Sequence, residues 1–478
     1  VAEHAGALAA ALGTGPIRRV HVVGVGGAGM SGIATILASL GYEVSGSDRR
    51  PSATLERLAA AGVDVAVGHH PERVAGADLV TASTAVPDAD PELVEAARLG
   101  VPLRRRAPLL AALAAMRRTV AVGGTKGKTT TTAMLVAILD AERPGTLSYL
   151  IGGDLPGRAG GASWREGGEW FVVEADESDR SFLCLRAEIA VVTNVEADHL
   201  DTYGSFGDLR AAFARFAAGA RAAVVGLDSP GSAALAAELA GEGAAPVLTV
   251  STEAAASLRA VGVHLGADSS SFELATASGP GPEAGGVTVE LPVPGLHNVR
   301  NALAAIAAAG AVGVPAERAA AALAGFRPVG RRFERRGEWA GVCFVDDYAH
   351  LPSALHAVIA TARVGAPQRL VAVFQPHLYT RTRDLATELG EALTGADLVV
   401  VTDVYPAREA PLPGVTGELV AKAARRHSPG LAVHYEPDRS RLASSVAGLL
   451  RPGDTCLSLG AGDITTLAAE VVALGAGE

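Results

Sequence analysis

Lysine is scarce in this chain of 478 residues. Lys and Arg together number 41, yet lysine stands at three positions, Lys126, Lys128 and Lys422. A chain that otherwise uses arginine has therefore placed two of its three lysines within four residues of Gly124. Cysteine is equally rare. Cys184, Cys343 and Cys456 are far apart, each in an apolar, strand-like run. That distribution argues against a disulfide framework or a thiolate metal site, and predicts core thiols in a reducing cytoplasm. Charged residues are 19% and the net charge is −10, with no basic tract, which argues against a nucleic-acid partner. The Ala- and Gly-rich runs, such as 304–315, are too short and too weakly apolar to span a bilayer. No segment joins a charged start, an apolar stretch and a small-residue cleavage site. The expectation is a cytoplasmic protein without membrane insertion.

What is abundant is apolar surface and glycine. Hydrophobic residues are 49% and glycines number 57, so cores form readily at this size. At about 150 residues per domain, the length predicts three domains. The pattern places them at 1–116, 117–326 and 327–478, each α/β. Residues 19–23 (RVHVV) form a β-branched run followed by a glycine loop, a helical pattern over 30–40 and a strand near 42–46. Further βα units reach about Ala115. A second block opens with a strand over 119–122, a glycine loop and a helix from Thr129. Residues 152–168 read as a Gly-rich loop, 270–295 as two strands around a Gly/Pro turn, and a helix follows from about Val299. In the third block strand-like runs at 342–345, 369–374, 397–402 and 455–459 alternate with helical patterns.

The first glycine loop, Gly24-Val25-Gly26-Gly27-Ala28-Gly29, fits G-x-G-x-x-G between strand and helix. Such glycines let backbone N–H groups approach a diphosphate at a helix N-terminus. Asp48 ends the next strand, where a carboxylate can hold a ribose hydroxyl. A nicotinamide dinucleotide and another diphosphate ligand both fit this pattern. The second loop, Gly124-Thr125-Lys126-Gly127-Lys128-Thr129-Thr130, meets the tail of G-x-x-x-x-G-K-[ST], although Val122 stands where the first glycine would be. Backbone N–H groups there surround phosphates, Lys128 offers a point charge and the Thr129 hydroxyl a Mg²⁺ ligand. The strand over 171–173 runs into Glu174, Asp176, Glu177 and Asp179. Four carboxylates in six residues repel one another unless cations are present, and beside a phosphate loop the expected cation is Mg²⁺. A second strand, 189–192, leads to His199, which could ligate a metal or position a phosphate.

Eleven segments, in order along nearly the whole chain, resemble the Mur ligases, ATP-dependent amide-forming enzymes of peptidoglycan precursor synthesis. They are VGVGGAGMSGIA (23–34), SGSD (45–48), GTKGKTTTT (124–132), EADESDRSFL (174–183), VVTNVEADHLDTYGSF (191–206), PGLHNVRNALAA (294–305), GRRFE (330–334), DDYAH (346–350), FQPHLYTRTRDL (374–385), DVY (403–405) and GAGD (460–463). The resemblance implies a Rossmann-like UDP-sugar domain, a central P-loop ATPase-like domain and a Rossmann-like closing domain for the amino acid. It implies ATP and Mg²⁺, with UDP-N-acetylmuramate and L-alanine as the small-molecule substrates. A ligase of the same family acting on a peptide or a related UDP-sugar stays open as the alternative, and a dehydrogenase accounts for the first loop alone.

Carried over by motif, Gly24, Gly26, Gly27, Gly29, Met30, Ser31 and Asp48 face the UDP-sugar. Gly124, Thr125, Lys126, Gly127, Lys128, Thr129 and Thr130 hold ATP, with Asn298, Asn301, Arg331 and Asp346 around the nucleotide. Thr129, Glu174 and His199 resemble the metal ligands. Tyr348, His350, Arg381 and Arg383 resemble residues around the amino acid, and Lys128, His199, His350 and Arg381 are the catalytic candidates. The chain departs from the family pattern at Lys126 (His in the family), Pro108 and Ala354 (Glu), Leu351 (His) and Leu378 (Arg).

Overall fold

The computed structural model describes residues 8–158, 160–241, 246–276, 279–280, 286–407 and 409–475. They form an α/β architecture with three sheets. In the first sheet β1 (Arg19–Val23), β2 (Glu43–Asp48), β3 (Asp64–Val67), β4 (Leu79–Ala82) and β5 (Leu103–Arg105) lie parallel in the order β3-β2-β1-β4-β5. Strand order reverses at β1, which is where open α/β sheets bind ligands. The helix after β1 starts at Ala28, two residues before the expected Met30, because Gly27 is its extended N-cap. The expected strand near 42–46 runs on to Asp48, since β3 pairs with it as far as Val67.

The second sheet is built around β6 (Arg118–Gly123), between β9 (Trp170–Glu174) and β10 (Ile189–Val192), all parallel. On one side β9 continues to β7 (Ser148–Leu150) and β8 (Ala162–Ser163). On the other, β10 continues through β11 (Ala222–Gly226), β12 (Val247–Ser251) and β13 (Leu258–Leu265) to β14 (Ser270–Thr276), which pairs with β15 (Gly279–Pro280) and β16 (Thr288–Leu291). The short β8 falls in the stretch expected to be loop. Most of the expected Gly/Pro turn after β14 lies outside the described residues. The third sheet is β17-β18-β22-β19-β20-β21, with β17 (Glu334–Trp339) antiparallel to β18 (Val342–Asp347). The others, β19 (Arg369–Phe374), β20 (Leu398–Thr402), β21 (Ala432–Glu436) and β22 (Asp454–Leu459), are parallel.

These sheets fall into two compact units. One takes in the chain up to Val263, Ser271–Pro292 and Asn298–Arg327; the other takes in His264–Ser270, Val293–His297 and the chain from Pro328. In the first unit one apolar core runs from Val22, Ile33 and Leu37 to Phe171, Phe182 and Phe213, and a smaller one gathers Val23, Val74, Val80 and Leu93. Phe182 packs its ring 5.2 Å from Phe213 and 5.1 Å from Phe216, and so anchors the acidic segment that precedes it. Truncating such a buried ring costs about 3–5 kcal/mol. In the second unit one core, with Phe374, Leu389 and Val420, and another, with Phe344, Val371 and Val446, cover the sheet, as a parallel sheet requires. All three cysteines are free thiols. Cys456 is buried and Cys343 half-buried, but Cys184 is exposed, because it ends a 3₁₀ turn (Ser181–Cys184) and not a strand.

Candidate active site

β6 ends in the lysine-bearing loop and passes directly into the helix Lys128–Glu142, whose N-cap is Gly127. Two glycines make the turn possible. Gly124 has φ +129°, and a Cβ there would lie 2.0 Å from Thr193 Oγ1; Gly127 has φ +80°, and a Cβ would lie 2.3 Å from Asn301 Oδ1. The strand end of β10 clasps the loop. Thr125 N–H donates to Asn194 O at 3.1 Å, Lys126 N–H to Asn194 Oδ1 at 3.0 Å, and Asn194 Nδ2 to Lys126 O at 2.9 Å. The N-cap Gly127 has no side chain to cap the 15-residue helix, so its first N–H groups present a positive dipole end suited to an anion. Lys128 folds back over this end. Its Nζ donates to Gly124 O at 2.8 Å and lies 2.7 Å from Glu177 Oε2. Lys126 pairs instead with Glu196. Thr131 Oγ1 donates to Asn301 Oδ1 at 3.3 Å, and Asn301 Nδ2 to Asn298 Oδ1 at 3.4 Å, so both buried asparagines stand behind the loop.

The four carboxylates expected to gather a metal are shared out among protein cations and donors. Glu174 accepts from Thr129 Oγ1 at 2.9 Å and from Gly152 N–H at 2.7 Å. Asp179 and Asp176 lie 2.9 and 3.4 Å from Arg106 Nη2. Glu177, 1% exposed, takes Lys128. Burial pushes Glu177 up to about 7 despite that ammonium. Burial also opposes ionisation of Asp176, but the Lys128 and Arg106 charges hold it below the usual carboxylate range. Lys128 itself is held above its ordinary value: burial works against its charge, and Glu177, Asp176 and Glu174 outweigh burial. His199, with φ +52°, lies 3.4 Å from Asp198 and 3.9 Å from Glu177. Among the described residues no three His, Cys, Asp or Glu side chains form a metal-holding group. Thr129 and Glu174 are brought together, and His199 stands against the Glu177 side of the loop.

The first glycine loop has a different character. Gly26 N–H donates to Asp48 Oδ2 at 2.9 Å, and a Cβ on Gly26 would meet that oxygen at 2.8 Å. Gly24 takes φ +75° and Gly27 is the helix N-cap. Gly29 faces Arg106, whose Nη1 would lie 3.0 Å from a Cβ there. Ser31 Oγ turns back to Ala28 O at 3.0 Å. Met30 is 2% exposed and belongs to the core, so its side chain is not at the ligand-facing surface of the loop.

The second unit gathers its own group. Asp346, 1% exposed, lies 3.2 Å from Arg336 Nη2 and 3.6 Å from Arg331 Nε. Arg331 (φ +61°) also donates to Gly460 O at 2.6 Å, and both Arg331 and Arg332 stack on Tyr348, 4.9 and 5.0 Å from the ring centre. Asp346 Oδ1 and Arg331 Nε are shielded and lack a hydrogen-bond partner among the described residues. His350 Nδ1 lies 2.9 Å from Tyr348 O, so Nδ1 carries a proton and, in the neutral ring, Nε2 is the basic nitrogen. His350 is 5.7 Å from His377, which stacks on Tyr405 and lies 3.2 Å from Arg381 Nη1. Arg383 is not gathered in; it is exposed and pairs with Asp384 at 2.6 Å.

Family models match the chain in three consecutive stretches: a Mur ligase family catalytic domain over 19–118, a Mur ligase middle domain over 122–309 and a Mur ligase glutamate ligase domain over 331–462. The chain belongs to the Mur ligase family. Among its relatives, UDP-N-acetylmuramate–L-alanine ligase of Cutibacterium acnes is 45% identical over 462 residues, covering 95% of each chain. The enzyme of the same name from Kineococcus radiotolerans is 46% identical over 475 residues, covering 98% of each. Among solved structures, UDP-N-acetylmuramate-alanine ligase of Thermotoga maritima superposes with a TM-score of 0.81 at 27% identity, covering 96% of this chain and 99% of that one. A murein peptide ligase of Psychrobacter arcticus shares the fold at TM-score 0.70 and 22% identity, covering 95% and 98%.

In this Mur ligase, several site residues carried no assigned role in the sequence. Asn194 and Glu196 lie in a segment that resembles the family, and Arg106 lies just before Pro108. Their signal was sequence context alone, because each acts through a partner 68 to 75 residues away.

Proposed function

We propose that this Mur ligase joins L-alanine to the lactyl carboxylate of UDP-N-acetylmuramate, consuming ATP, in the cytoplasmic synthesis of peptidoglycan precursors. Relatives 45% and 46% identical over almost the entire chain carry that activity in their names. The observation that carries the mechanism is Lys128 Nζ, held by Gly124 O and Glu177 over the uncapped start of the helix Lys128–Glu142. A bare carboxylate is a poor acyl donor. Transfer of the γ-phosphoryl group to the lactyl carboxylate gives an acyl phosphate and ADP. The amine of L-alanine then attacks that carbonyl, and phosphate leaves from the tetrahedral intermediate.

Lys128 and the helix N–H groups hold the phosphate charge in both steps. Thr129 and Glu174 offer hard oxygens 2.9 Å apart, the sparse protein coordination Mg²⁺ takes beside phosphates, with His199 as a further candidate. Mg²⁺, when bound, supplies charge neutralisation on phosphoryl oxygens. Asn298 and Asn301 buttress the loop from behind. Arg331 and Asp346 belong to the nucleotide and Tyr348, His350 and Arg381 to the amino acid. His350 Nε2, fixed as the basic nitrogen by the Nδ1 contact to Tyr348 O, takes the proton from the attacking amine. In the first sheet, the Gly24–Gly29 loop holds the diphosphate and Asp48 the ribose of the UDP-sugar.

The test is phosphate and ADP release measured with each substrate omitted in turn. Release that requires both UDP-N-acetylmuramate and L-alanine is expected. Release with a peptide in place of L-alanine would assign the chain to peptide ligation instead.

A further inference from the structure

The amino ends of the central strands, opposite the phosphate loop, form a groove of about 540 Å³. It is lined by Ala115–Thr119 before and within β6, by Gly168 and Glu169 before β9, by Arg186–Glu188 before β10 and by Arg221 before β11. The ligation chemistry uses the carboxyl ends of these strands. Six residues of β6 separate the two ends, about 20 Å of extended chain. The groove is therefore a separate place.

Its charge is opposite to that of the protein. Four arginines, Arg117, Arg118, Arg186 and Arg221, face two carboxylates, Glu169 and Glu188, in a chain of net charge −10. The carboxylates are already engaged. Arg118 Nε donates to Glu188 Oε2 at 2.7 Å and its Nη1 to Glu169 Oε1 at 2.6 Å, while its guanidinium lies on Trp170, 4.2 Å from the ring centre. Arg118 therefore acts as a fixed floor. Arg186 has no carboxylate partner and no hydrogen bond among the described residues, and Arg221 reaches Glu188 only at 3.8 Å. Arg117 is held over Trp164, 5.2 Å from the ring centre, with its Nε shielded from water and without an acceptor. An open, shallow cluster of guanidinium donors, with acceptors missing among the described residues, recognises oxyanions.

We propose that this groove binds a small polyanion, a metabolite carrying two or more negative charges on phosphoryl or carboxylate oxygens, at a site distinct from the ATP loop. Arg117 and Arg186 supply the principal contacts and Arg221 the outer one.

The test uses the full-length protein with its ATP loop saturated by Mg²⁺ and a β,γ-imido ATP analogue. Inorganic pyrophosphate and citrate, the phosphoryl and carboxylate arms, are titrated by calorimetry at low salt. One further saturable site is expected with at least one of them. Arg117→Ala and Arg186→Ala should each weaken it about tenfold, the worth of one charge-assisted hydrogen bond. The exposed change Arg186→Glu should abolish binding while leaving ligation within about twofold of wild type, since surface substitutions barely alter stability. Absence of saturable binding by both pyrophosphate and citrate at concentrations up to about 10 mM would overturn the proposal. So would binding that Arg186→Glu leaves unchanged.

Discussion

The first unit contains two glycine loops made the same way, strand to loop to helix, and they differ in the charge beside them. After β6 the loop carries its own cations, Lys126 and Lys128, and acidic groups from β9 and β10 hold those cations in place. After β1 the loop carries no charge, and the group against it is the Asp48 carboxylate on Gly26 N–H. A cation-bearing loop suits a triphosphate with charge developing on it. A neutral loop with a neighbouring carboxylate suits a diphosphate whose ribose is to be recognised by hydrogen bonds. Arg106 stands between the two, with Gly29 on one side and Asp176 and Asp179 on the other. One backbone solution thus occurs twice, with side chains of different charge around it.

The largest test of this contrast is Lys128→Ala. Ligation should fall by about 10²-fold or more, the usual cost of removing a preorganised charge, while circular dichroism shows a folded chain. Retention of more than about a tenth of the activity would place Lys128 outside the charge stabilisation described here. Next come the glycines. Gly124→Ala forces a Cβ to 2.0 Å from Thr193 at φ +129°, so it should raise the KM for ATP and destabilise the protein by about 1–3 kcal/mol in urea denaturation. Gly26→Val should weaken binding of UDP-N-acetylmuramate and leave binding of the ATP analogue intact. A change that weakened both ligands equally would erase the distinction between the loops.

Much of this was legible in the sequence, for a local reason. Runs such as RVHVV and RLVAVF are β-branched or apolar on both faces, glycines punctuate them, and β1 and β19 fall where the pattern places them. The lysine pair drew attention to the loop after β6 because lysine is otherwise so rare. The partners were not legible. The carboxylates at 174–179 were legible as a cluster, but not that Arg106, 70 to 73 residues before Asp176 and Asp179, and Lys128 lie against three of them in the folded chain. Spacing along a chain does not reveal which distant cation the fold brings in. Met30 and Cys184 show the converse. A motif neighbour went into the core and an apparent core thiol came out, because helix phase and turn geometry, not local composition, decide which way a side chain points.

Two fully buried glutamates extend the contrast to pH. Glu177, behind the lysine loop, is raised to about 7 by burial. Its contribution to stability is complete below the ordinary value of 4.5 and is lost as pH rises through about 7. Glu92, beside the first sheet, is lowered: burial opposes its charge, but the His21 ring 3.5 Å away and hydrogen bonds from the Ser47 hydroxyl and the His70 N–H prevail. Its contribution is present above 4.5 and is lost as pH falls through its depressed value. Against wild type, Glu177→Gln should therefore gain in relative stability between pH about 4.5 and 7, and Glu92→Gln should gain only on the acid side. Urea midpoints measured across that range for both variants would decide it, and parallel curves would show that the two glutamates do not differ in this way.

The smallest expected effect belongs to Lys126, where the family pattern has histidine. The Lys126 side chain is 20% exposed and already paired with Glu196, while its backbone N–H is fixed by Asn194. The position is therefore held by the main chain, and the side chain adds a charge that Glu196 largely offsets. A partly exposed ion pair is worth at most about 1 kcal/mol, so Lys126→His should raise the KM for ATP by no more than about fivefold, with kcat nearly unchanged. Arginine should do worse than histidine, because its planar fork needs more room than a compact ammonium between the glycine turn and Glu196. Glu196→Gln should act in the opposite direction, freeing the Lys126 charge and lowering the KM for ATP at low salt. If all three variants showed wild-type ATP kinetics at low and high salt, Lys126 would be a surface charge with no part in nucleotide binding, and Lys128 alone would account for the cationic character of the second loop.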